Sequence, residues 1–343
     1  MSGWSTALVD PVADPRWGPL VARAPDAVVF HHPAWLALLT RRYRYAVHAV
    51  GVVRAGELVA GLPFARVESR LTGRRLVALP FSDACPPLLA DPAARGPLLD
   101  AVAAARPDDL RLEVRADVAD LAGGEVAVRH VEHVLALDRA PERIEREVVR
   151  PALRRGAAKA RRSGVVVQRC TDAAALETFY VLHRRTRRRQ GVPTQPRRAI
   201  TELHGVLAAC GGFVLVARRG DVPLAAAVFL AQGRTLTYKY GASDERHLAV
   251  RPNNLLFLEA IRHGWEAGLE RLDLGRTDLG NAGLRAFKAS LGAQERPLPY
   301  TYVGGVPAER AGGPAGRVLS AAIRQAPPVV GGLVGAALYR HAG

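Results

Sequence analysis

Cysteine is scarce in this sequence. Cys85, Cys170 and Cys210 are far apart, odd in number and outside any CxxC or Cys/His spacing. That excludes a disulfide framework and a cysteine-based zinc site, and it predicts buried structural thiols with no metal bound. Long hydrophobic runs are missing too. The longest near the C-terminus, Pro327 to Tyr339, is well short of the roughly 20 residues that cross a bilayer and predicts a packed terminal helix, with a surface-lying one as the alternative. The first residues, MSGWSTALVDPVADPRW, lack a basic stretch followed by an apolar one. The expectation is therefore a cytoplasmic protein without a secretory signal. No GxSxG elbow occurs, which removes the commonest serine-nucleophile architecture. Lysine is almost absent as well: of 48 basic residues only Lys159, Lys239 and Lys288 are not arginine.

What is present is a globular composition, 49% hydrophobic and 23% charged over 343 residues. Single cores stop growing at roughly 250 to 300 residues, so two domains are expected. The formal charge is +16 and unevenly spread. From Arg139 to Arg198 there are 17 basic residues against Glu142, Glu145, Glu147, Asp172 and Glu177, leaving +12 in that one segment. An arginine-rich coding bias explains arginine over lysine but not the clustering. The segment should face an anionic partner: a nucleotide cofactor, a tRNA, a nucleotide-sugar or anionic lipid heads.

Two stretches about 160 residues apart read as one repeated unit. Ala49 to Asp83 and Gly212 to Asp244 each run strand, Gly-Glu or Gly-Asp turn, strand, Gly-Arg turn, strand. Alternating apolar residues and turn residues make both antiparallel hairpins. A helix and a return strand follow each repeat. In the second, Asn253 or Asn254 is placed to cap, Leu255, Leu258, Ile261 and Trp265 form an apolar stripe, and Gly268 closes the helix. Hairpin, helix and return strand, twice over, predict an α/β layered fold in each half. A basic helical connector ends at Gly164, which puts the boundary near residue 165. The next helix starts at Asp172 as N-cap and ends at Gly191, with Phe179, Leu182 and Thr186 facing a core. The Arg187 to Arg189 run then sits at the helix C-terminus, where positive charge is favourable, with a ligand role as the alternative.

Residues 237–303 resemble the FemAB-related, BioF2-like acetyltransferase family of the GNAT-like superfamily. The resemblance lies in Tyr238-Lys239-Tyr240-Gly241, Arg251-Pro252-Asn253, Asp273-Leu274-Gly275-Arg276, Gly283-Leu284, Phe287-Lys288 and Leu291-Gly292-Ala293. LRRGAAKARRSGV, FYVLHRRTRRRQGVP and LPFSDACPPLL extend it over most of the chain. It implies tandem GNAT-like acyltransferase domains, residues 1–164 with the connector and 165–343 with the motifs, each a mixed, mostly antiparallel sheet flanked by helices. It also implies acyl or aminoacyl transfer to an amine of a cell-envelope or polysaccharide precursor. The donor would be aminoacyl-tRNA or acyl-CoA, and the acceptor a small-molecule or lipid-linked amine. One departure bears on the donor: no Arg/Gln-x-x-Gly-x-Gly/Ala loop precedes Asn253, the element that cradles a coenzyme A pyrophosphate on backbone amides.

Acyl transfer to an amine needs a deprotonated nucleophile, a stabilised oxyanion and alignment, without a covalent enzyme intermediate. Lys288 is the first candidate, as donor to the oxyanion or a donor phosphate, against the reading of a solvated helix lysine. Asp83 could hold the acceptor amine or take its proton, or be a turn residue ahead of Pro86 and Pro87. Arg276 follows a strand as a phosphate or carboxylate clamp, or pairs with Asp273 or Asp278. Tyr238, Lys239 and Tyr240 alternate on one strand, which would put both tyrosines on one face and Lys239 on the other. Asn253, Arg184 and Arg185 complete the binding candidates, whereas His183 on its basic helix is expected to be solvated. Two rivals remain: an acetyl-CoA-dependent N-acetyltransferase of an amino sugar, and a non-catalytic scaffold binding an anionic ligand or nucleic acid. The charge and the apolar C-terminus would also allow peripheral contact with the anionic inner face of a membrane.

Overall fold

The computed structural model describes residues 3–69, 73–308, 314–326, 331, 332, 334, 335, 338 and 339. Two compact units emerge: the described parts of Met1–Val131, Pro297–Glu309 and Tyr339–Gly343, and those of Glu132–Arg296 and Arg310–Leu338. The C-terminal apolar run, read as a terminal helix, lies largely outside the described residues.

The first unit begins with β1 (Trp4–Val9), α1 (Trp17–Arg23), α2 (Pro33–Leu38), β2 (Ala46–Arg54), β3 (Glu57–Ser69) and β4 (Gly73–Val77). It continues through β5 (Leu88–Leu89), α3 (Arg95–Ala105) and β6 (Arg111–Val114). The chain then passes along β7 (Gly124–Ala136) into the second unit: α4 (Pro141–Arg143), α5 (Pro151–Arg162), β8 (Val166–Cys170), α6 (Ala173–Gln190), α7 (Arg197–Thr201) and α8 (Leu203–Cys210). There follow β9 (Phe213–Arg219), β10 (Val222–Gln232), β11 (Thr235–Ser243), α9 (Pro252–Glu266), β12 (Arg271–Asp273), β13 (Thr277–Asp278), α10 (Ala282–Ser290), β14 (Gln294–Val303) and α11 (Pro314–Gln325).

Each unit has the mixed, mostly antiparallel sheet that the repeats predict. In the first, β1, β2, β3 and β4 are antiparallel neighbours, β4 and β6 run parallel, and β14 closes antiparallel on β6. In the second, β8, β9, β10 and β11 are antiparallel, β11 and β12 are parallel, and the end of β7 is antiparallel to β12. The same order and the same single parallel step recur, as a duplication would leave them.

The core of the second unit joins Phe213, Phe229, Leu236 and Leu272 from the sheet to Leu255, Leu258 and Ile261 of α9 and Leu153, Ala157 and Ala160 of α5. Trp265 does not complete the α9 stripe. It is 42% exposed, while Gly264 packs against the sheet so closely that an added Cβ would meet Leu137 at 2.8 Å. Neither asparagine caps α9. The cap is Arg251, in left-handed conformation at φ 58°, and Asn254 instead donates to the Leu153 carbonyl of α5 at 3.2 Å. Asp172 does cap α6, accepting from Ala175 N at 2.7 Å, and Gly191 ends it at φ 69°.

Candidate active site

The site grows from one irregularity in β11. Val228 faces Tyr240 but Phe229 faces Tyr238, so Lys239 is an extra residue in the ladder. Cross-strand partners share a face and neighbours along a strand do not, so this bulge sends the two tyrosines to opposite faces. Tyr238 packs on Phe229 and Phe257 with ring centres 5.7 and 5.0 Å away, whereas Tyr240 lies by Phe179 and His183 of α6. The expectation of a shared face is overturned, because strict alternation assumes an unbroken register.

Beyond the bulge β11 also loses its other neighbour. Its pairing with β12 ends at Thr237 opposite Asp273. Thr186 of α6 reaches the edge there, donating to Ser243 O at 3.0 Å and accepting from Ser243 N at 2.9 Å. Asp244 N in turn bonds Leu224 O on β10. Since ladder residues alternate, Gly241 turns its N–H and C=O to the same side as Ser243, into the gap.

A cavity of about 210 Å³ lies against this edge. Gly241, Ala242, Ser243 and Tyr238 form one wall, Asn253, Leu256 and Phe257 of α9 a second, and Leu284 and Phe287 of α10 a third. Thr186, Arg189 and Gln190 of α6 close it. Burial pushes the Tyr238 phenol up to about 12, so it stays a neutral donor. The missing side chain of Gly241 makes room for that ring, since an added Cβ would overlap Tyr238 Oη. A second cavity of about 230 Å³, in the first unit, has Leu8, Val50, Phe64 and Leu112 in its wall, and two of its arginines are engaged, Arg66 by Glu68 and Arg106 by nearby carbonyls.

Lys288 is not a solvated helix residue. It is 3% exposed, and its Nζ donates to Gly275 O at 2.7 Å and to Arg276 O at 3.3 Å. Gly275 N is held in turn by Asp273 at 2.7 Å. The buried ammonium thus pins the segment just past the end of the β11–β12 pairing. Arg276 is half-buried there.

The turn from β11 to α9 carries Asp244, 2% exposed on its side chain. Arg246 grips it at 2.6 Å, Arg185 at 2.5 Å, and Arg246 N donates at 3.1 Å. The Arg246 hydrogen bond, with Arg185 adding its charge, holds the carboxyl down to about 2. A buried anion already occupies the turn, and Arg246 N and His247 N bond back to Asp244. His183 is likewise not solvated. It is 3% exposed, stacks on Phe179 and bonds Gln195 Oε1 at 2.6 Å, and burial lowers it to about 4.

Of the residues singled out in the sequence, Tyr238 and Asn253 line the cavity together. Lys239 lies over the Tyr240 ring at 5.4 Å, Arg185 binds Asp244, and Arg184 is half-buried with its charge acting on Tyr180. Asp83 belongs to the first unit, where its carbonyl accepts from Tyr300 Oη at 2.6 Å. Arg189 belongs to the run for which a ligand role was the alternative, whereas Thr186 and Gln190 were not among the binding candidates, although three- and four-residue spacing puts all three on one helix face. Asp244 was missed because a carboxylate beside arginines reads as a surface pair. Among the described residues no His, Cys, Asp and Glu cluster could hold a metal, and no helix is long and apolar enough to cross a membrane.

β11 thus combines a bulge, a parallel pairing to β12 that stops at Thr237, and a turn that leads into α9. The family model for the GNAT acetyltransferase domain matches residues 148–289. The match lies wholly within the second unit. Similar solved structures include FemX, with TM-score 0.69 at 14% identity over 87% of this chain and 96% of that one. A domain ascribed to a lysylphosphatidylglycerol synthetase of Agrobacterium fabrum gives 0.57 at 15% over 86% and 92%. A tandem GNAT protein from the clavulanic acid biosynthesis pathway gives 0.52 at 16% over 88% and 100%. At these identities the likeness is one of fold, and it extends the tandem GNAT architecture to both units. Comparison with curated proteins gave no match.

Proposed function

We propose that the protein transfers an aminoacyl group from aminoacyl-tRNA to an amine of a cell-envelope or polysaccharide precursor. The donor carbonyl would lie against the Gly241 edge of β11, where a preorganised backbone N–H stabilises the oxyanion without reorganising. Lys288 adds positive charge at the end of the gap by holding the Gly275 and Arg276 carbonyls. Tyr238 and Asn253 would orient the acyl group, while Arg276, Arg189 and the basic segment would meet the phosphates of the donor. Lys239, Tyr240 and Arg184 are proposed contacts for the acceptor side.

The observation that carries the donor choice is Asp244. A coenzyme A pyrophosphate needs open backbone amides ahead of the helix, and here a buried carboxylate fills that turn and takes two arginines. With Asp244 accepting from Arg246 N, that amide is not open to a phosphate, which favours a donor whose phosphates lie elsewhere. The envelope acceptor is supported by the named neighbours, FemX and the lysylphosphatidylglycerol synthetase domain. The +12 segment between Arg139 and Arg198 fits work at the inner face of an anionic membrane.

The test is to incubate the protein separately with labelled acetyl-CoA and with a charged aminoacyl-tRNA pool, each with a mixed set of amines. Consumption of aminoacyl-tRNA that is lost in Lys288→Ala is expected. Consumption of acetyl-CoA alone would refute the donor choice, and turnover of neither would leave a binding protein.

A further inference from the structure

Close to Lys288 lies a buried histidine. His133, on the part of β7 in the second unit, is fully inaccessible, yet neither ring nitrogen has a hydrogen-bond partner among the described residues. Such a group destabilises a core that an apolar residue of the same shape would favour. Its surroundings are charged. Nε2 stands 3.1 Å from Glu295 Oε2, outside hydrogen-bond geometry, and Glu295 is 32% exposed. Arg285 grips Glu295 with bonds of 2.9 and 2.7 Å. The His133 carbonyl accepts from Leu274 N at 2.9 Å, and the next two residues, Gly275 and Arg276, hold the Lys288 ammonium. The groups that act on the ring are therefore Lys288 and Arg285 from α10 and Glu295 from β14.

We propose that His133 and Glu295 form the path by which the proton released in acyl transfer leaves the Lys288 end of the site for solvent. The inference rests on the acyl-transfer reading. An ammonium R–NH3⁺ and an ester R′–CO–OR″ give the amide R′–CO–NH–R, the alcohol R″OH and one proton. The ester C–O bond breaks and a C–N bond forms. Of the three protons on nitrogen, one stays on the amide, one goes to the leaving oxygen, and the third must exit. The Lys288 ammonium gives a proton to the neutral His133 ring and regains one from the acceptor nitrogen, and His133 passes its extra proton to the half-exposed carboxylate of Glu295. Burial and the Lys288 charge keep the imidazole neutral and ready to accept, whereas Glu295 pulls the other way. His133 acts through Lys288 and is a positioning and relay residue.

Two readouts separate the relay from its parent reading. In ¹⁵N-histidine NMR titrations the His133 midpoint should rise in Lys288→Met, which removes a repelling charge, and fall in Glu295→Gln. In turnover assays with the aminoacyl-tRNA pool and mixed amines, His133→Phe should be at least as stable as the wild type. Its kcat should fall about tenfold or more, with KM little changed and the acid limb of the pH profile gone. Glu295→Gln gives the same rate test from the surface should His133→Phe fail to fold. Midpoints unmoved in both NMR variants overturn the relay whatever the turnover. Active wild type with an equally active His133→Phe overturns the relay and leaves acyl transfer standing. A coupled titration in a protein that consumes neither donor refutes acyl transfer, and the relay as its proton path falls with it.

Discussion

Replacing Thr186 by valine should damage the protein far more than replacing it by serine. The Thr186 hydroxyl is the shared partner of Ser243 N at 2.9 Å and Ser243 O at 3.0 Å, and both residues are buried, at 6% and 5% exposure. Valine keeps the shape and leaves two buried backbone groups unsatisfied, each at a cost of about 1–3 kcal/mol, so a loss of about 2–6 kcal/mol is expected. Serine keeps the hydroxyl and gives up one methyl, about 0.8 kcal/mol. In thermal unfolding each kcal/mol moves Tm by about 2–4 °C for a unit of this size. Thr186→Val should therefore melt at least about 2 °C below Thr186→Ser, by the lower ends of the two ranges less the serine loss. Turnover should fall in the valine variant as well, because Ser243 sets the edge that Gly241 shares. If burial of apolar surface governed the site, the order would reverse, with valine equal to or above wild type and serine below it. That reversal would refute the reading that α6 fixes the β11 edge through the hydroxyl.

Two further outcomes follow from the same geometry. Gly241→Ala meets no φ penalty, since Gly241 is not in the left-handed region, but its methyl would displace the Tyr238 ring, whose Cζ and Cε2 would stand 2.9 and 3.1 Å away; overpacking of about 1–3 kcal/mol is expected in urea unfolding, partly relieved by Tyr238→Phe, and an additive double mutant would contradict the contact. Asp244 titrates at about 2 in the fold, below its ordinary 3.8, so its ionic stabilisation is complete above the unfolded value and is lost as pH falls towards 2. Asp244→Asn should then be less stable than wild type at pH 7, with the gap closing below about pH 4; a gap that stays constant down to pH 2 would show that the Arg185 and Arg246 pairs contribute nothing.

Much of the fold was legible in the chain. The hairpins of both repeats, the Asp172 cap, the Gly191 stop and the buried Phe179, Leu182 and Thr186 all stand where pattern and capping put them. The site was only partly legible. Tyr238 and Asn253 reach the cavity, but the chemistry around them also depends on Asp244 and His133, which no local pattern marks.

The division has a physical cause. Hairpins, caps and apolar periodicity depend on residues within a few positions of one another, so composition and spacing determined them, as they determined the clustering of charge between Arg139 and Arg198. The bulge at Lys239, the turning of Tyr238 and Tyr240 to opposite faces, and the burial of His183 and Lys288 were decided only when distant segments met. Thr186 and Ser243 are 57 residues apart and Arg185 and Asp244 59, yet these contacts set the edge of the gap and fill the turn beside it. Whether a polar side chain is solvated or buried is a property of what packs over it, and in this protein only the tertiary structure supplies that cover.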